Sequence, residues 1–375
     1  MLATVGSVMA IMEEWARPDY AEPWDNPGLV TGEPQDEAGH IIVALDLTLD
    51  LIEAAPPGAM VVCHHPPLFK EVRTLRSDRP TGKILGGAIQ KRMAVYAAHT
   101  NLDLAPGGTA DALAGRLELE DMSPLAPLRP GRYYKLVVFV PAGHEDAVRH
   151  ALAAAGAGWI GNYSHCTFQL PGQGTFMPRE GTDPFIGKPG KLERVDEFRL
   201  ETIVPDHRVE AVVSAMVSAH PYEEVAYDLY PLENPGPGRS YGRVGRPKSP
   251  ASLREYAEFC QKALGVESVR YLGQPHVPVR RVAVVPGAGG DWALGARAAG
   301  ADVLVTGDVG HHEAVSAAIM GMAVIDAGHL ATEWPVLEVV ADRIMTGTRQ
   351  AGLVTSLEVW PARPLFFTAG GGGAS

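Results

Sequence analysis

The amino-acid sequence predicts an α/β fold: a discontinuous core domain with a mainly parallel sheet covered by helices, interrupted by a ferredoxin-like α+β insertion. Three observations lead to this fold class. Apolar, β-branched segments alternate with helical segments early in the chain. The same alternation returns late in the chain. Between these two regions lies a segment with a different pattern of predicted elements, bounded by Pro- and Gly-rich segments. Continuous apolar strands separated by helices are typical of a sheet that is buried on both faces.

Residues 1–127 form the predicted first half of the core domain. An apolar stretch from Leu2 to Met12, broken by Glu13 and Glu14, has the pattern of an amphipathic first helix. The strands predicted after it are Ile41–Asp46, Met60–Cys63 and Met93–Ala98, with helices over Leu47–Ala55 and Gly82–Arg92.

Residues 238–368 form the predicted second half. Its buried strands are Arg281–Val285, Asp302–Thr306 and Ala323–Asp326, with helices between them. The last residues, 369–375, are of low complexity, and we expect them to be disordered.

Residues 128–237 form the predicted insertion. Its elements follow the order βαββαβ of a ferredoxin-like module, over Tyr134–Val140, Glu145–Ala155, Tyr163–Leu170, Glu197–Val204, Arg208–Ala219 and Ala226–Leu232. The Pro- and Gly-rich segments Ser123–Gly131 and Pro235–Gly242 bound it, as expected for a domain limit.

Composition excludes several classes of protein. The formal net charge of −12 argues against nucleic acid as a main partner. Three cysteines, Cys63, Cys166 and Cys260, are too few and too far apart for a disulfide framework and suit a reducing compartment. The N-terminus lacks a basic leader, and no run approaches the roughly 18 apolar residues of a membrane span. We therefore expect a cytoplasmic protein without a membrane partner.

Side chains that can bind a metal follow three predicted strands. They are His64 and His65 after the first, His99 and Asp103 after the second, and His329 and Glu333 after the third. The carboxyl ends of parallel strands converge at one edge of an open α/β sheet. A helix that begins near His329 places His329 and Glu333 on one face, because residues four apart are neighbours on a helix. Imidazole and carboxylate together favour Zn, Fe, Mn or Ni over Ca or Mg.

Simpler explanations exist for each segment. The His64–His65 pair could belong to a helix cap or a surface loop, and a turn stabilised by side-chain hydrogen bonds would account for His99 and Asp103. A fourth strand end carries Asp308, His311 and His312. These could line the same cleft beside the metal ligands, or Asp308 could cap a helix with the histidines exposed.

For three further motifs, the sequence allows either a chemical role or a purely structural one. The glycine turn in Val284–Leu294 could hold a phosphate on its amides, although tight packing of the turn explains it better. Cys63 beside His64 could be a nucleophile, but on a buried strand it is more readily a structural thiol. The segment His220–Glu224 could be a ligand or contact site, or a loop that satisfies its own backbone.

Several of these segments together resemble one family. The sequences WDNPGL, HHPPLF, HTNLDLAPGGTADALA, LVTGDVGHHEAV and IDAGHLATE are similar, in this order, to the blocks of the Nif-three-like family, whose bacterial members are labelled GTP cyclohydrolase 1 type 2 homologues. The segment AHPYEEVAYDLYPL resembles the PII- and CutA-like insertion of the longer bacterial members.

The resemblance implies a site for two divalent metal ions. Matched motif by motif, the metal ligands would be His64, His65, Asp103, His329 and Glu333. His99 is then a neighbouring residue. The resemblance further implies a homohexameric ring with the sites facing an inner cavity.

Two functions of different classes follow. The first is a metal-dependent hydrolase of GTP or a related nucleotide or heterocycle, in which water would attack C8 of guanine and formate would be released. His99, Asp308 and His312 are the candidates for moving protons in that reaction. The alternative is a metal carrier or metal-responsive regulatory protein without turnover. A purely structural metal site fits less well, because five ligands shared by two ions leave positions for water or substrate.

Overall fold

The structure is a computed structural model that describes residues 1–70, 72–126 and 129–361. The segment 369–375, predicted to be disordered, lies outside the described residues. The chain divides into two compact units: Met1–Pro127 with Arg239–Ser375, called the first unit, and Leu128–Gly238, called the second unit.

The elements lie as follows in chain order. The helices are α1 (Val5–Trp15), α2 (Leu49–Ala54), α3 (Pro80–Gln90), α4 (Thr100–Asp103), α5 (Thr109–Arg116), α6 (Glu145–Ala154), α7 (Val209–Ala219), α8 (Leu253–Leu264), α9 (Ala293–Ala298), α10 (His311–Met320), α11 (His329–Glu333) and α12 (Pro335–Gln350). The strands are β1 (Gly28–Thr31), β2 (His40–Ala44), β3 (Met60–Cys63), β4 (Ala94–Ala97), β5 (Leu119–Pro124), β6 (Arg129–Pro141), β7 (Thr167–Phe176), β8 (Glu193–Pro205), β9 (Tyr227–Arg239), β10 (Arg243–Pro247), β11 (Ala251–Ser252), β12 (Arg270–Leu272), β13 (Pro278–Val279), β14 (Val282–Ala288), β15 (Val303–Gly307), β16 (Ala323–Asp326) and β17 (Ser356–Val359).

The first sheet of the first unit has the order β1-β4-β3-β2-β17. Strands β4, β3, β2 and β17 are parallel, and β1 pairs antiparallel with β4 at the edge. Alternate residues of a strand point to opposite faces. Ile41 and Val43 therefore share a core with α1 and α12, whereas Ile42 packs with α2 and α3.

The second sheet has the order β12-β16-β15-β14-β10-β5. Its centre, β14-β15-β16, is parallel, and the flanking strands are antiparallel. Val282 and Val284 pack with α5 and α8 on one face. Ala283 and Val285 pack with α9 and α10 on the other. Helices thus cover both faces of each sheet, as the sequence predicted.

The prediction of one mainly parallel core sheet needs correction, because the first unit contains two mixed sheets. The parallel strands are the buried, continuously apolar ones that sequence patterns reveal. The antiparallel edge strands are only partly buried, as in Gly28–Thr31 and Leu119–Pro124, and their composition does not reveal them. A hydrophobic pattern reports burial and period but not which strands pair.

The second unit follows the order β6-α6-β7-β8-α7-β9 along the chain, and its strands lie in the order β7-β8-β6-β9. Helices α6 and α7 pack on one face, where Val148 and Met216 contact a core that includes Leu136 and Leu200. Strand β7 begins at Thr167 rather than near Tyr163, because Tyr163 pairs with Ile160 in a separate turn.

Within the described ranges, no helix has both the length and the apolar character needed to cross a membrane.

Candidate metal centre

Four histidines converge in the first unit where strands of both sheets end. His64 and His65 follow β3, His99 follows β4, and His329 begins α11 just after β16. These four residues are called the histidine cluster. Two groups have ligand atoms that all lie within 4.8 Å of one another: His64 with His65 and His99, and His65 with His329 and Glu333. The described residues therefore contain His and Glu groups that could hold a metal ion.

His64 is the most deeply buried member of the cluster, with 2% of its surface exposed. Its Nδ1 donates to the Ala98 carbonyl at 2.8 Å. A carbonyl only accepts, so the proton is on Nδ1 and Nε2 carries a lone pair. Burial lowers the pKa of His64, which favours this neutral form.

The Nε2 atom of His64 is buried without a hydrogen-bond partner among the described residues. It lies 3.6 Å from Asp103 Oδ1 and 3.9 Å from Glu333 Oε1. A buried polar atom left in this way costs about 1–3 kcal/mol. A cation between the imidazole and the two carboxylates would remove that cost.

The other three histidines are held by carboxylates through Nδ1. The pairs are His65 with Asp46, His99 with Asp25, and His329 with Asp308, each at 2.9 Å. A histidine that ligates a metal usually gives its second nitrogen to such a partner, which fixes the ring orientation and tautomer. The arrangement leaves each Nε2 for the centre of the cluster.

Glu333 lies at the end of α11, and 6% of its surface is exposed. Its Oε2 lies 3.1 Å from His65 Nε2 and 3.2 Å from His329 Nε2, but no described residue meets it with hydrogen-bond geometry. The predicted start of a helix at His329 is confirmed, so the four-residue spacing places His329 and Glu333 together.

The charged groups in and around the histidine cluster shift one another's pKa values. Burial opposes protonation of His65, but Asp46 and Glu333 outweigh it and raise the pKa of His65 to about 10. The Glu333 carboxylate raises the pKa of His329 to about 9 against its burial. Burial alone would raise the pKa of Glu333, yet contact with His329 and His65 holds it well below its usual range. Glu333 thus favours the protonated forms of His65 and His329, and a cation at the cluster would compete with these protons.

Asp103 ends the short helix α4, where Thr109 Oγ1 donates to its Oδ1 at 2.6 Å. Burial raises the pKa of Asp103, and the nearby His64 partly offsets this. The five residues predicted as ligands from the sequence lie together. His99, predicted as a proton-transfer residue, lies with them, because its ligand atom is within 4.8 Å of those of His64 and His65.

Asp308 and His312, the other two predicted proton-transfer residues, lie in different surroundings. Asp308 contacts the centre indirectly by holding His329 Nδ1. His312 is exposed in the first turn of α10, and its ring centroid lies 5.5 Å from that of His311. Their roles in a reaction stay predictions.

Of the three carboxylates that orient the histidines, Asp308 was singled out from the sequence, whereas Asp25 and Asp46 were not. Asp25 holds His99 from 74 positions away in the chain and also accepts from Thr100 Oγ1 at 2.5 Å. Burial would raise the pKa of Asp25, but His99 and Thr100 outweigh it and lower the pKa to about 2. Asp46 could have been found, because it too follows a predicted strand end.

Two exposed aromatic side chains flank His99. Trp24 is 60% exposed and Phe69 is 47% exposed. Their ring centroids lie 6.0 Å and 5.4 Å from that of His99. The Asn26 amide donates to the Leu68 carbonyl at 2.9 Å and ties the two loops together. Trp24 and Phe69 are called the aromatic rim.

The glycine segment at the end of β14 packs against the cluster. The Gly287 amide donates to Thr332 Oγ1 at 3.0 Å, and the Gly289 amide donates to Thr306 Oγ1 at 2.9 Å. A Cβ on Gly287 would lie 2.4 Å from Glu333 Oε1. These contacts favour the packing explanation of the turn over a phosphate site. Cys63 is buried, and burial raises the pKa of its thiol to about 12, as expected for a structural thiol.

The family of the chain follows from its comparison with known proteins. Residues 3–360 match the model of the family described as Duf34/NIF3 (NGG1p interacting factor 3). The chain belongs to the DUF34/NIF3 family. The resemblance found in the sequence motifs is therefore confirmed.

Other NIF3-family proteins match most of the chain. A protein of Halalkalibacterium halodurans named GTP cyclohydrolase 1 type 2 homolog is 44% identical over 330 residues, 88% of this chain and 89% of that protein. A Bacillus subtilis protein of the same name is 42% identical over 326 residues, 86% of this chain and 87% of that protein. The crystal structure of a Bacillus cereus protein related to NIF3 is 38% identical, has a TM-score of 0.86, and covers 98% of this chain and 100% of that chain.

Proposed function

We propose that this NIF3-family protein holds two divalent metal ions and hydrolyses GTP or a related nucleotide or heterocycle. The observation that carries the proposal is the buried Nε2 of His64, which faces two carboxylates without a hydrogen-bond partner among the described residues. The proposed ligands are His64, His65, Asp103, His329 and Glu333. Imidazole and carboxylate donors together favour Zn, Fe, Mn or Ni.

When bound, such ions supply Lewis-acid chemistry, which activates water and polarises an electrophilic carbon. The protein contributes the orientation of the ligands. Three carboxylates and one carbonyl fix the Nδ1 atoms of the histidine cluster, so the rings need no reorganisation when the Nε2 atoms bind.

His99 is the residue we propose for proton transfer. Its Nδ1 contacts Asp25, which stabilises a proton there and leaves Nε2 as the acceptor facing the cluster. A base held in this way can take a proton from water and return it to a leaving group. Because His99 also belongs to a group able to hold an ion, His99→Gln separates the two roles: loss of turnover with full metal content supports proton transfer.

The aromatic rim supports a planar heteroaromatic substrate. Trp24 and Phe69 are large, exposed and beside His99, so their rings are accessible to a substrate at the cluster. A nucleobase that stacks on an aromatic ring gains about 1–3 kcal/mol. The names of the GTP cyclohydrolase 1 type 2 homologs agree with a purine substrate.

The test is to incubate metal-loaded protein with GTP and other nucleotides and to measure products and formate. We expect formate release that is lost in Asp103→Ala and retained in Asp78→Ala, which changes an exposed carboxylate paired with Arg76. Turnover that is equal in wild type and Asp103→Ala would contradict the hydrolase. Metal that is readily passed to an acceptor without any turnover would support the metal carrier instead.

The second unit is proposed to be a ferredoxin-like insertion. Its element order βαββαβ and its strand order β7-β8-β6-β9 support this. The family resemblance further supports a homohexamer. Light scattering after size-exclusion chromatography would measure its mass against six chains of 39.9 kDa.

A further inference from the structure

The second unit contains a cavity of its own. It has a volume of about 410 Å³ and opens between the strands β7 and β8, the segment that follows β7, and the segment that follows α7. Sites for small molecules are typically concave spaces of about 300–1,000 Å³ with largely aromatic and apolar walls and a few polar groups. None of the residues proposed as metal ligands lines this cavity.

Aromatic rings form much of the wall. The Tyr222 ring lies 5.9 Å from Phe176 and 6.2 Å from Phe185, and Phe139 also lines the space. Phe185 is 53% exposed, so part of the aromatic surface faces solvent. The rings surround a space rather than filling it.

The backbone around Tyr222 is already satisfied. His220 Nε2 donates to the Phe139 carbonyl at 3.0 Å, and the Tyr222 amide donates to His220 Nδ1 at 3.1 Å. The motif at His220–Glu224 is therefore locally rigid, and His220 is a structural histidine. What the motif adds to the cavity is its aromatic ring and the carboxylates after it.

Three carboxylates line the cavity. The half-buried Glu197 accepts a hydrogen bond from the Tyr222 hydroxyl at 3.0 Å, and its Oε2 packs where a Cβ on Gly174 would lie. Glu223 accepts from the Asp183 amide at 3.2 Å, and Glu224 is exposed. All three are acidic, so the cavity carries a concentrated negative charge.

The protein does not neutralise this charge from within the cavity. Among the described residues that line it, none is Lys or Arg. Three basic side chains on β8 or just before it contact other groups: Lys191 contacts Glu193, Arg194 contacts Gln173 and Arg199 contacts Glu201. Arg179 and Lys188 belong to the segment that follows β7 but do not line the cavity. An anionic ligand, including a nucleotide phosphate, would be repelled here.

We propose that this cavity binds a small organic cation, an ammonium group carried on an apolar body. Aromatic faces attract cations within about 6 Å of the ring centroid, and quaternary ammonium groups are recognised by aromatic cages of this kind. Glu197 supplies the countercharge, and Tyr222 both positions that carboxylate and offers its ring. The ligand class is independent of the substrate proposed for the metal centre.

Calorimetric titration of the full-length protein with choline tests the proposal. Its neutral isostere, 3,3-dimethylbutan-1-ol, has the same shape without the charge. We expect one choline per chain and binding of the isostere that is weaker by about tenfold or more. Metal content is measured in parallel and stays unchanged.

Variants locate the site. Glu197→Gln is expected to weaken choline binding about tenfold, and Tyr222→Ala at least as much, whereas Tyr222→Phe keeps the ring and most of the affinity. Glu210→Gln, an exposed carboxylate on α7 of the same unit, is the matched control and leaves binding unchanged. Circular dichroism and thermal unfolding verify that each variant is folded.

Three results would overturn the proposal: no choline binding at millimolar concentration, equal binding of the neutral isostere, or equal binding by folded Glu197→Gln. A failure of GTP turnover at the metal centre has no bearing on these measurements.

Discussion

At the scale of single residues, the two ring nitrogens of each histidine in the histidine cluster have different surroundings. Nδ1 is fixed by a carbonyl or carboxylate acceptor, and Nε2 faces the neighbouring residues of the cluster. For His65 and His329 the fixing groups are Asp46 and Asp308, at 2.9 Å each. Without these partners the rings could rotate, and part of the binding free energy would be spent on ordering them.

The first prediction concerns these orienting carboxylates. Asp46→Asn is expected to weaken metal binding by about 10–100-fold, because the amide orients and polarises the His65 ring less well than a carboxylate. Competition with a coloured chelator measures the affinity. Asp78→Asn, at an exposed site, is the control and should bind metal like wild type. Equal affinity of the two variants would show that Asp46 does not support the centre.

The second residue-scale prediction concerns the aromatic rim. Trp24→Ala is expected to weaken nucleotide binding by about 5–150-fold, since a lost stacking contact costs about 1–3 kcal/mol. Metal content should not change, because Trp24 supplies no ligand. Trp159→Ala removes a tryptophan of similar exposure, 51%, from the second unit and is the control. If both variants bind nucleotide equally well, the rim does not contact the base.

At the scale of elements, the candidate centre depends on the short helix α11 and the glycine segment at the end of β14. The side chain of Thr332 on this helix accepts from the Gly287 amide at 3.0 Å. Gly287 has a φ of +67°, and a side chain there would meet the Glu333 carboxylate. Position 287 therefore favours glycine for two reasons: its left-handed backbone conformation and the close approach of the Glu333 carboxylate.

Substitutions at two glycines distinguish the effect of backbone conformation from the effect of close packing. Gly287→Ala is expected to lower metal affinity by about tenfold or more through displacement of Glu333, by analogy with the loss of other supporting contacts. Gly300→Ala is the control, because Gly300 has a φ of +76° but open space around its Cβ position. Both variants should lose about 1–2 kcal/mol of stability from the left-handed backbone. Chelator competition and thermal unfolding measure the two effects, and unchanged metal affinity in Gly287→Ala would contradict the packing argument.

At the scale of the whole molecule, the chain leaves and re-enters the first unit at adjacent positions. Pro124 of β5 pairs with Arg243 of β10, and the Leu125 amide donates to the Gly242 carbonyl at 3.0 Å. The Ser240 hydroxyl also bonds to the Leu125 carbonyl. The two ends are therefore already joined by a hydrogen-bonded strand pair of the first unit.

This geometry predicts that the second unit is dispensable for metal binding. Replacement of residues 128–238 by a short Gly–Ser loop closes an antiparallel strand pair, and a short loop costs little closure entropy. The shortened protein should unfold cooperatively and bind the same amount of metal per chain, measured by calorimetry and elemental analysis. A chain that is insoluble, or folded without metal, would contradict the prediction.

Much of the candidate centre could be predicted from the sequence, because its proposed ligands obey local rules. Buried strands such as Met60–Cys63 are short apolar runs, and polar side chains directly after them mark the strand ends. The four-residue spacing of His329 and Glu333 requires only that a helix begins there, and α11 does begin at His329. The local pattern of apolar and polar residues thus determined the helices and strands, and it placed side chains that can bind a metal at their ends.

Only the tertiary structure decided how those ends meet. Strand pairing into two mixed sheets, the approach of His99 to His64 and His65, and the contact of Asp25 with His99 all join residues distant in the chain. Periodicity encodes which side of an element is buried, whereas these contacts depend on long-range packing and charge. For the same reason the aromatic and acidic cavity of the second unit could not be seen in the motif at His220–Glu224, since its walls come from separate strands and loops.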